Sequence, residues 1–359
     1  MKKVFSRSTV LLLVGVAAIA AMSVAGATAS TSKKAASADV CVLLPDTASS
    51  VRWQFQDKPA LIAAFKKAGV SFVITNADND AQKQKSQADQ CLGNGAKVVI
   101  VVALDAGSAS AIEKAAAAKG AKSIDYDRQV IGGSASIYVS FDGHQVGVLQ
   151  GTGVVNGLKA NGNYSKHPVV AELNGGATDA NSFLFKGGYD SILKPLYKNG
   201  TFKKGPDQFT PQWNNATAGT IFEQMLVKTG NKIDAVAAAN DGLANAVVVA
   251  LKAHGLKPVP LSGQDATPQG VQNIISGWQS MTVWKDTRQL ATAAAGAAIS
   301  LLKGTPLKTT GTVPNGKKKE PAFIIAPQAI TKANYKILFT AGYVKKSEVC
   351  NGAFAKYCK

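Results

Sequence analysis

Charged and aromatic residues are both scarce in this chain of 359 residues. Asp, Glu, Lys and Arg make up 17% of it and Phe, Trp and Tyr 7%, whereas hydrophobic residues reach 46%. So few charges among so many apolar side chains exclude an intrinsically disordered protein and indicate a globular one. The length predicts two domains.

Histidine is rarer still, because His144, His167 and His254 are the only three in the chain. They are dispersed, and no His-Glu-x-x-His motif brings two of them onto one helix face. The Gly-x-Ser-x-Gly turn and the phosphate-binding loop are also absent. We therefore expect neither a metal site nor a cofactor. The stretch GTGVVNG, which begins at Gly151, has the wrong spacing for a dinucleotide-binding turn, and we interpret it as helix packing.

Acidic residues are outnumbered by basic ones. The 40 Lys and Arg residues face 22 Asp and Glu residues, which gives a formal net charge of +18. A basic balance can indicate a nucleic-acid partner, but the lysines are scattered singly and the one dense run is GKKKE at 316–320. We therefore predict no nucleic-acid binding and interpret the excess charge as a solvated surface in an anionic envelope.

Residues 1–38 are interpreted as a secretory signal peptide and a short linker. Lys2, Lys3 and Arg7 precede the apolar stretch TVLLLVGVAAIAAMSVAGA, and small residues follow it. This order is typical of a cleaved export signal, and a retained membrane anchor is the alternative. A lipid anchor is not expected, because no cysteine directly follows the apolar stretch. We predict an exported protein of the periplasm or another extracytoplasmic part of the cell envelope.

Cysteine is scarce too, with four copies, and in an oxidising compartment these are expected to form disulfides. Cys350 and Cys358 are close in sequence and are expected to pair, which leaves Cys41 and Cys91. Cys41 begins the first predicted strand and Cys91 lies at the end of the second predicted helix. In a doubly wound sheet with a central first strand, that helix returns over the strand, so this second pairing is geometrically reasonable.

Strand and helix patterns alternate through the rest of the chain. The predicted strands are residues 41–44, 70–75, 97–104, 121–126, 137–141, 169–173, 233–239, 259–263 and 281–284. The predicted helices are residues 55–67, 80–92, 108–119, 182–197, 217–228, 243–254 and 287–302. Alternation of this kind predicts an α/β fold with two doubly wound parallel-sheet lobes.

Nearly every predicted strand is followed by a polar residue, and ligands of open α/β sheets bind beyond these carboxyl ends. Some of these residues can be helix N-caps instead, and Asp105, Asp142 and Asp241 are the candidates. Arg128, Lys285 and Gln264 cannot be explained that way. The full set is Asp46, Asp105, Asp127, Arg128, Asp142, Asn174, Asn240, Asp241, Gln264, Asp265, Lys285 and Asp286.

This mixture of side chains suits a ligand rich in hydroxyl groups, because a hydroxyl donates to a carboxylate and accepts from a guanidinium or an ammonium. A sugar ring also has a C–H face that an aromatic side chain can cover. Trp53 and Trp213 lie in polar, loop-like contexts, SSVRWQFQ and FTPQWNNA. Both are candidates for that contact, and core packing is the alternative for each.

A series of stretches resembles, in order, the type I periplasmic sugar-binding proteins of ABC importers, and most closely the D-xylose-binding proteins. The stretches are SSVRWQFQ, SIDYDRQV, IYVSFDGHQVG, LNGGATDANSFLFKGG, TPQWNNA, NKIDAVAAANDGLANAVV, LSGQDATPQG and MTVWKDT. The resemblance covers about residues 40–334. The first loop departs from the family by carrying small residues where further charges are usual, and the tail beyond Asn334 has no counterpart.

The resemblance implies two lobes joined by a three-segment hinge. Residues 39–143 with 286–320 would form the N-terminal lobe, and residues 144–285 with 321–359 the C-terminal lobe. The implied ligand-binding set is Arg52, Trp53, Asp127, Arg128, Asn181, Trp213, Asn240, Asp265 and Lys285. In this set Trp213 stacks on the sugar, and Asp127 and Arg128 contact the ligand instead of each other.

The function implied by the resemblance is capture of a monosaccharide by lobe closure and its delivery to an ABC transporter permease by a monomer. D-Xylose or a related pentose is favoured, and ribose, arabinose, glucose and oligosaccharides stay open. A ligand subunit for a chemoreceptor or kinase is one alternative. A glycoside hydrolase acting through Asp127 and Asp265 is another, but Arg128 would lower the pKa of the acid. We therefore predict a protein that is not an enzyme.

Overall fold

The structure, a computed structural model, describes residues 38–358, so the predicted export signal lies outside the described residues except for its last position. In chain order, strands β1 to β12 of this part are Val40–Leu44, Phe72–Asn76, Val98–Val101, Lys122–Tyr126, Ile137–Phe141, Val169–Asn174, Lys203–Phe209, Ala235–Ala238, Met281–Trp284, Gly311–Asn315, Lys318–Ile325 and Gln328–Thr331. Helices α1 to α11 are Lys58–Ala68, Ala81–Gly93, Ala106–Ala118, Gly143–Ala160, Ala180–Lys198, Asn215–Thr229, Asp241–Ala253, Pro268–Ser276, Thr287–Lys303, Lys336–Thr340 and Lys346–Val349. A turn of π-helix at Trp53–Asp57 precedes α1, and 3-10 turns lie at Pro211–Trp213 and Gly352–Tyr357.

The first lobe is built on a seven-stranded sheet in the order β10-β11-β5-β4-β3-β1-β2, in which β10 and β11 are antiparallel and the other pairs are parallel. Helices cover both faces, so the central strands are apolar throughout instead of alternating. Val42 and Leu44 of β1 join the core with α1 and α9, whereas Leu43 belongs to the core with α2 and α3. The first predicted domain therefore has the expected doubly wound sheet.

The second lobe has a smaller parallel sheet in the order β7-β6-β8. Its edge strand β7 was not expected from the sequence, because KKGPDQF contains a proline and no apolar alternation; an edge strand tolerates both. The strand predicted at 259–263 is reduced to a single bridge between Leu261 and Val236. Backbone bonds form the bridge itself. Beyond it the Ser262 hydroxyl takes the place of ladder bonds, since it accepts from N of Ala238 at 3.1 Å and donates to its O at 3.0 Å.

The chain passes between the lobes three times, between β5 and α4, between β9 and α9, and between β11 and β12. The resemblance implied crossings near residues 143 and 285, and these lobe boundaries stay a prediction. The third passage is later than predicted, because the boundary between residues 320 and 321 falls inside β11. Its residues 322–325 pair in parallel with 138–141 of β5 and so continue the first sheet.

Glycines bring α4 and α5 into close contact in the second lobe. A β carbon at Gly147 would stand 2.0 Å from the carbonyl oxygen of Phe185, and one at Gly188 would stand 2.2 Å from that of His144. Gly151 lies one turn further along α4 against Tyr189. The interpretation of GTGVVNG as a helix-packing stretch is therefore confirmed.

Both expected disulfides are present. Cys41 and Cys91 join the start of β1 to the end of α2 with a Cα–Cα distance of 6.3 Å, and Cys350 and Cys358 close the tail at 5.8 Å. Among residues 38–358, none of the helices combines the length and the apolar character needed to cross a bilayer.

Candidate functional site

All nine side chains predicted to bind ligand line a single crevice between the two lobes. Those of the first lobe follow β1 and β4, and those of the second lobe follow β6, β7, β8 and the bridge at Leu261, with Lys285 at the second passage between the lobes. The carboxyl ends of the parallel strands in both sheets point to this crevice, which is why residues so distant in sequence meet there. Five further residues complete the lining, namely Ser49, Ser50, Asp179, Phe185 and Gln264.

Arg52 is the central cation of the crevice and is buried with an exposed fraction of 1%. Its guanidinium makes a bidentate pair with Asp57, with N–O distances of 2.7 and 2.8 Å, and its third donor reaches Asp127 at 2.8 Å. Burial works against the charge of Arg52, but Asp127 and Asp57 outweigh it and raise its pKa well above the usual value. Asp57 thus fixes the guanidinium in a geometry that leaves one edge facing the crevice.

Asp127 occupies a left-handed backbone conformation, with φ at 64°, directly after β4. Its carbonyl oxygen accepts hydrogen bonds from Tyr138, Ser140 and Asn181, at 3.0, 2.8 and 2.9 Å. These three donors hold the strained residue so that its carboxylate points to Arg52 instead of continuing the strand. The Asn181 bond crosses from the second lobe to the first.

Arg128 does not pair with its neighbour Asp127. Its Nε lies 2.9 Å from Asp179, the N-cap residue of α5 in the second lobe, and its Nη1 donates to the carbonyl oxygen of Ala103 at 3.1 Å. Burial raises the pKa of Asp179, and the Arg128 charge opposes that rise. The pair therefore joins the lobes, which agrees with the expectation that the Asp-Tyr-Asp-Arg segment does not form an internal salt bridge.

Lys285 and Asp265 form the third charged contact of the crevice. The Lys285 ammonium lies 3.2 Å from Asp265 and 3.8 Å from Asp127, and both carboxylates are nearly fully buried. Ser50 of the first lobe donates its hydroxyl proton to Asp265 at 2.9 Å. Each cation of the crevice thus faces at least one carboxylate.

Trp53 is buried in the core of the first lobe and supports the two arginines. The guanidinium carbons of Arg52 and Arg128 lie 4.3 and 5.5 Å from the centroid of its ring, and its Nε1 donates to Ser49 at 3.2 Å. The indole is 2% exposed, so core packing, the alternative to a sugar contact, describes Trp53. It reaches the crevice beneath the guanidinium groups.

Trp213 lies across the crevice in a tight turn, where Gln212 and Trp213 both have positive φ, 54° and 57°. Its Nε1 donates to Asp179 at 3.1 Å. Gly175 lies directly against the ring, because a β carbon at that position would stand 2.1 Å from two of its atoms. The glycines of the LNGG stretch therefore let the indole approach the backbone.

Asn240 caps α7 through its Oδ1 and donates from Nδ2 to the carbonyl oxygen of Ser49 in the first lobe at 3.1 Å. Asp105 and Asp142 cap their helices as expected. The suggestion that Asp241 is a cap was wrong, because Asn240 already occupies that position. Asp241 instead accepts bonds from Thr267 and Gln279.

The lobes are in contact, and the charged groups nearly fill the crevice. The remaining cavity measures about 30 Å³, which leaves room for about two or three water molecules. A monosaccharide is several times larger. Entry of such a ligand therefore requires the lobes to separate, and with them the ion pair between Arg128 and Asp179 that joins them.

The electrostatics of Asp127 do not suit a general acid. Burial alone would raise its pKa, but the charges of Arg52 and Lys285 outweigh burial and lower this pKa to about 2. A glycosidase acid must hold its proton near neutral pH. Within residues 38–358, moreover, no group of three or more His, Cys, Asp or Glu side chains is placed to hold a metal ion.

Sequence reasoning missed some of the lining. Phe185 lies one helical turn after Asn181, a spacing that places both on the same face of α5 and that could have identified it. Asp179 carries the ordinary signal of a helix cap, which concealed its second contact with Arg128. Ser49 and Ser50 give no sequence signal, since small hydroxyl residues are common in loops.

Comparisons with known proteins agree with this architecture. A family model described as "Periplasmic binding protein domain" matches residues 40–306. The "D-xylose-binding periplasmic protein" of Escherichia coli is 33% identical over 300 residues, covering 83% of this chain and 88% of that protein. A "multiple sugar-binding periplasmic receptor" of Rhizobium radiobacter is 34% identical over 321 residues, covering 84% and 90%.

A crystal structure of an ABC transporter solute-binding protein from Clostridium phytofermentans with bound β-D-glucose superposes with a TM-score of 0.80 at 30% identity, covering 86% of this chain and 99% of that one. The sequence matches and the superposition lead to the same family as the two lobes and their connections do. The chain belongs to the periplasmic binding proteins of the type I fold, and it is a solute-binding protein and not an enzyme.

Proposed function

We propose that this protein captures a monosaccharide outside the cytoplasm and delivers it to the permease of an ABC transporter. The observation that carries the proposal is the single crevice in which charged, amide and aromatic side chains of both lobes converge. Two relatives support it, since they are periplasmic and sugar-binding by name, and so does the solved solute-binding protein with bound glucose.

The ion pairs of the crevice suit sugar hydroxyl groups. A hydroxyl placed between Arg52 and Asp127 donates its proton to the carboxylate and accepts from the guanidinium, so neither charge loses its partner. The same exchange suits Arg128 with Asp179, and Lys285 with Asp265. Each charged hydrogen bond of this kind contributes roughly 1.5–3 kcal/mol.

The remaining side chains complete the proposed contacts. Trp213 covers the C–H face of the ring, while Trp53 holds the two guanidinium groups in place. Asn181 and Asn240 reach the ligand from the second lobe. Because the ligand touches both lobes, it binds the closed arrangement better than the open one and shifts the population towards closure.

D-Xylose or a related pentose is the ligand we favour. The name of the Escherichia coli relative supports it, and Arg52 and Arg128 line the crevice where a larger sugar would need room. Glucose differs from xylose in pyranose form by one hydroxymethyl group, which would have to fit beside the two arginines. D-Glucose, bound by the solved neighbour, is therefore the most informative competitor.

Titration calorimetry with D-xylose, L-arabinose, D-ribose, D-glucose and an amino acid tests the proposal. We expect xylose to bind with an affinity near micromolar, about −8 kcal/mol, and at least tenfold tighter than glucose. Asp127→Asn should abolish the heat of binding, whereas Asp89→Asn, at an exposed position of α2, should leave it unchanged. Tighter binding of glucose would reject the pentose preference. Binding of the amino acid without any sugar would reject the function.

The transport step has its own test. We expect the sugar-loaded protein, but not the sugar alone, to stimulate ATP hydrolysis by its permease in lipid vesicles. Fractionation of the producing cells should recover the protein outside the cytoplasm, and gel filtration should give a monomer. Absence of stimulation by the loaded protein, together with binding to a sensory receptor, would favour the ligand subunit of a sensor instead.

A further inference from the structure

The C-terminal tail, residues 336–358, is folded onto the second lobe. Its apolar residues Leu338, Val344 and Val349 share a core with Val271 and Ile275 of α8. Gln272 of the same helix donates to the carbonyl oxygen of Val349 at 3.2 Å. The disulfide between Cys350 and Cys358 closes the end of the tail. The tail is therefore an ordered part of this lobe.

A tight turn carries Tyr343 of this tail to the passage between the lobes. Gly342, with φ at 63°, ends α10, and the amide of Tyr343 donates back to the carbonyl oxygen of Leu338 at 2.9 Å. The Tyr343 ring then lies 5.4 Å from the ring of Trp284, and the guanidinium of Arg288 lies 5.5 Å from it. These contacts fix the direction of the phenol.

The Tyr343 hydroxyl reaches two segments that carry residues of the crevice. It lies 2.7 Å from Oε1 of Gln56 and 3.0 Å from the carbonyl oxygen of Lys285, and it donates its proton between them. Gln56 belongs to the π-helical turn of the first lobe whose last residue, Asp57, holds Arg52. The side chain of Lys285 contacts Asp265.

We propose that Tyr343 is a positioning residue for ligand capture, through which the tail of the second lobe favours the closed arrangement. The bond to Gln56 crosses between the lobes and is lost when they separate, whereas the core contacts of the tail are retained. A contact made in one of two arrangements shifts the equilibrium towards that arrangement. The part concerning sugar affinity rests on the proposed function; the part concerning closure does not.

Tyr343→Phe is the first test, measured by sugar calorimetry and by stopped-flow release of the sugar. We expect affinity to fall about threefold to tenfold, mostly through faster release, because one hydrogen bond of the closed arrangement is lost. Tyr335→Phe is the matched control, since its hydroxyl makes no hydrogen bond to the residues that the structure describes. Unchanged affinity of Tyr343→Phe, or an equal loss in Tyr335→Phe, would overturn the proposal.

Gln56→Ala removes the hydrogen-bond partner of Tyr343 in the first lobe and leaves the tail intact. It therefore tests the same hydrogen bond even if the tyrosine variant unfolds. We expect a similar loss of affinity, and a double variant hardly weaker than either single one. Additive losses would contradict a shared bond.

Closure itself is measured without sugar, by energy transfer between dyes on Lys119→Cys of the first lobe and Lys228→Cys of the second. We expect Tyr343→Phe to lower the closed fraction, and an unchanged fraction would reject the proposal. If the wild type binds no sugar but the closed fraction still falls, the proposed function fails and the role of Tyr343 in closure stands.

Discussion

Gly175 lies beneath the indole of Trp213, so close that a β carbon on residue 175 would stand 2.1 Å from Cη2 and Cζ2 of the ring. No rotation of a methyl group relieves such an overlap, and the ring would have to move. The indole is held by its bond to Asp179, which in turn pairs with Arg128. This one glycine therefore supports a chain of contacts that ends in the other lobe.

Gly175→Ala is predicted to weaken sugar binding at least tenfold, because the displaced indole no longer covers the ring and no longer orients Asp179. Overpacking of this kind also costs about 1–3 kcal/mol of folding stability. Calorimetry and chemical unfolding measure the two effects separately. Gly219→Ala is the control, since a β carbon there meets no atom within 4 Å. Wild-type affinity in Gly175→Ala would show that the position of the indole is unimportant.

Arg128→Ala is predicted to lower sugar affinity at least about a hundredfold, because it leaves Asp179 buried without its cation when the lobes close. The pair joins the two lobes, so the cost falls on closure more than on folding. We expect the free energy of unfolding of the ligand-free protein to change by no more than about 1–2 kcal/mol.

Lys194→Ala, which removes an exposed partner of Asp190, is the control for loss of a cation. A large drop in folding stability in Arg128→Ala, with affinity preserved in the folded fraction, would assign this arginine a purely structural role.

Asp241 is predicted to make folding stability depend on pH. Burial raises its pKa from the usual 3.8 to about 7, although bonds from Thr267 and Gln279 oppose that rise. A carboxyl whose pKa is raised by folding favours the folded state when protonated. Its contribution is fully present below about pH 4 and is lost as the pH rises to about 7, by up to a few kcal/mol.

Urea unfolding of the wild type and of Asp241→Asn at several pH values measures this effect as the difference between the two proteins. We expect the wild type to lose more stability than the variant between pH 5 and pH 7.5. Parallel curves for the two proteins would contradict the assignment.

The two disulfides are predicted to differ in what they stabilise. Cys41 and Cys91 are separated by 50 residues, and Cys350 and Cys358 by 8. Loop-closure entropy gives about 4 kcal/mol for the first and about 2.5 kcal/mol for the second. Replacing the first pair by serine should lower the stability of the first lobe, whereas replacing the second should mainly expose the tail to proteolysis. Equal losses of unfolding temperature without new cleavage in the tail would contradict this difference.

The alternation of apolar strands and amphipathic helices was sufficient to predict the α/β class, most element positions and both disulfides. Those features depend on local periodicity and on the spacing of a few residues. The edge strand β7 could not be predicted, because its sequence has no apolar alternation. The late third passage could not be predicted either, because β11 belongs to the first lobe only through its pairing with β5. Beyond the bridge at Leu261, likewise, a serine side chain replaces the backbone bonds that would continue the strand.

The sequence by itself determined that polar residues follow the strands of parallel sheets, whose carboxyl ends face one crevice, and the family resemblance selected the nine residues that line it. Only the tertiary structure decided how they pair, Arg52 with Asp127 and Arg128 with Asp179, and that Trp53 supports the arginines from below. It alone also brought Tyr343 of the tail to Gln56. Pairing depends on distances of a few ångströms between residues far apart in the sequence, and no periodicity along the chain encodes such distances.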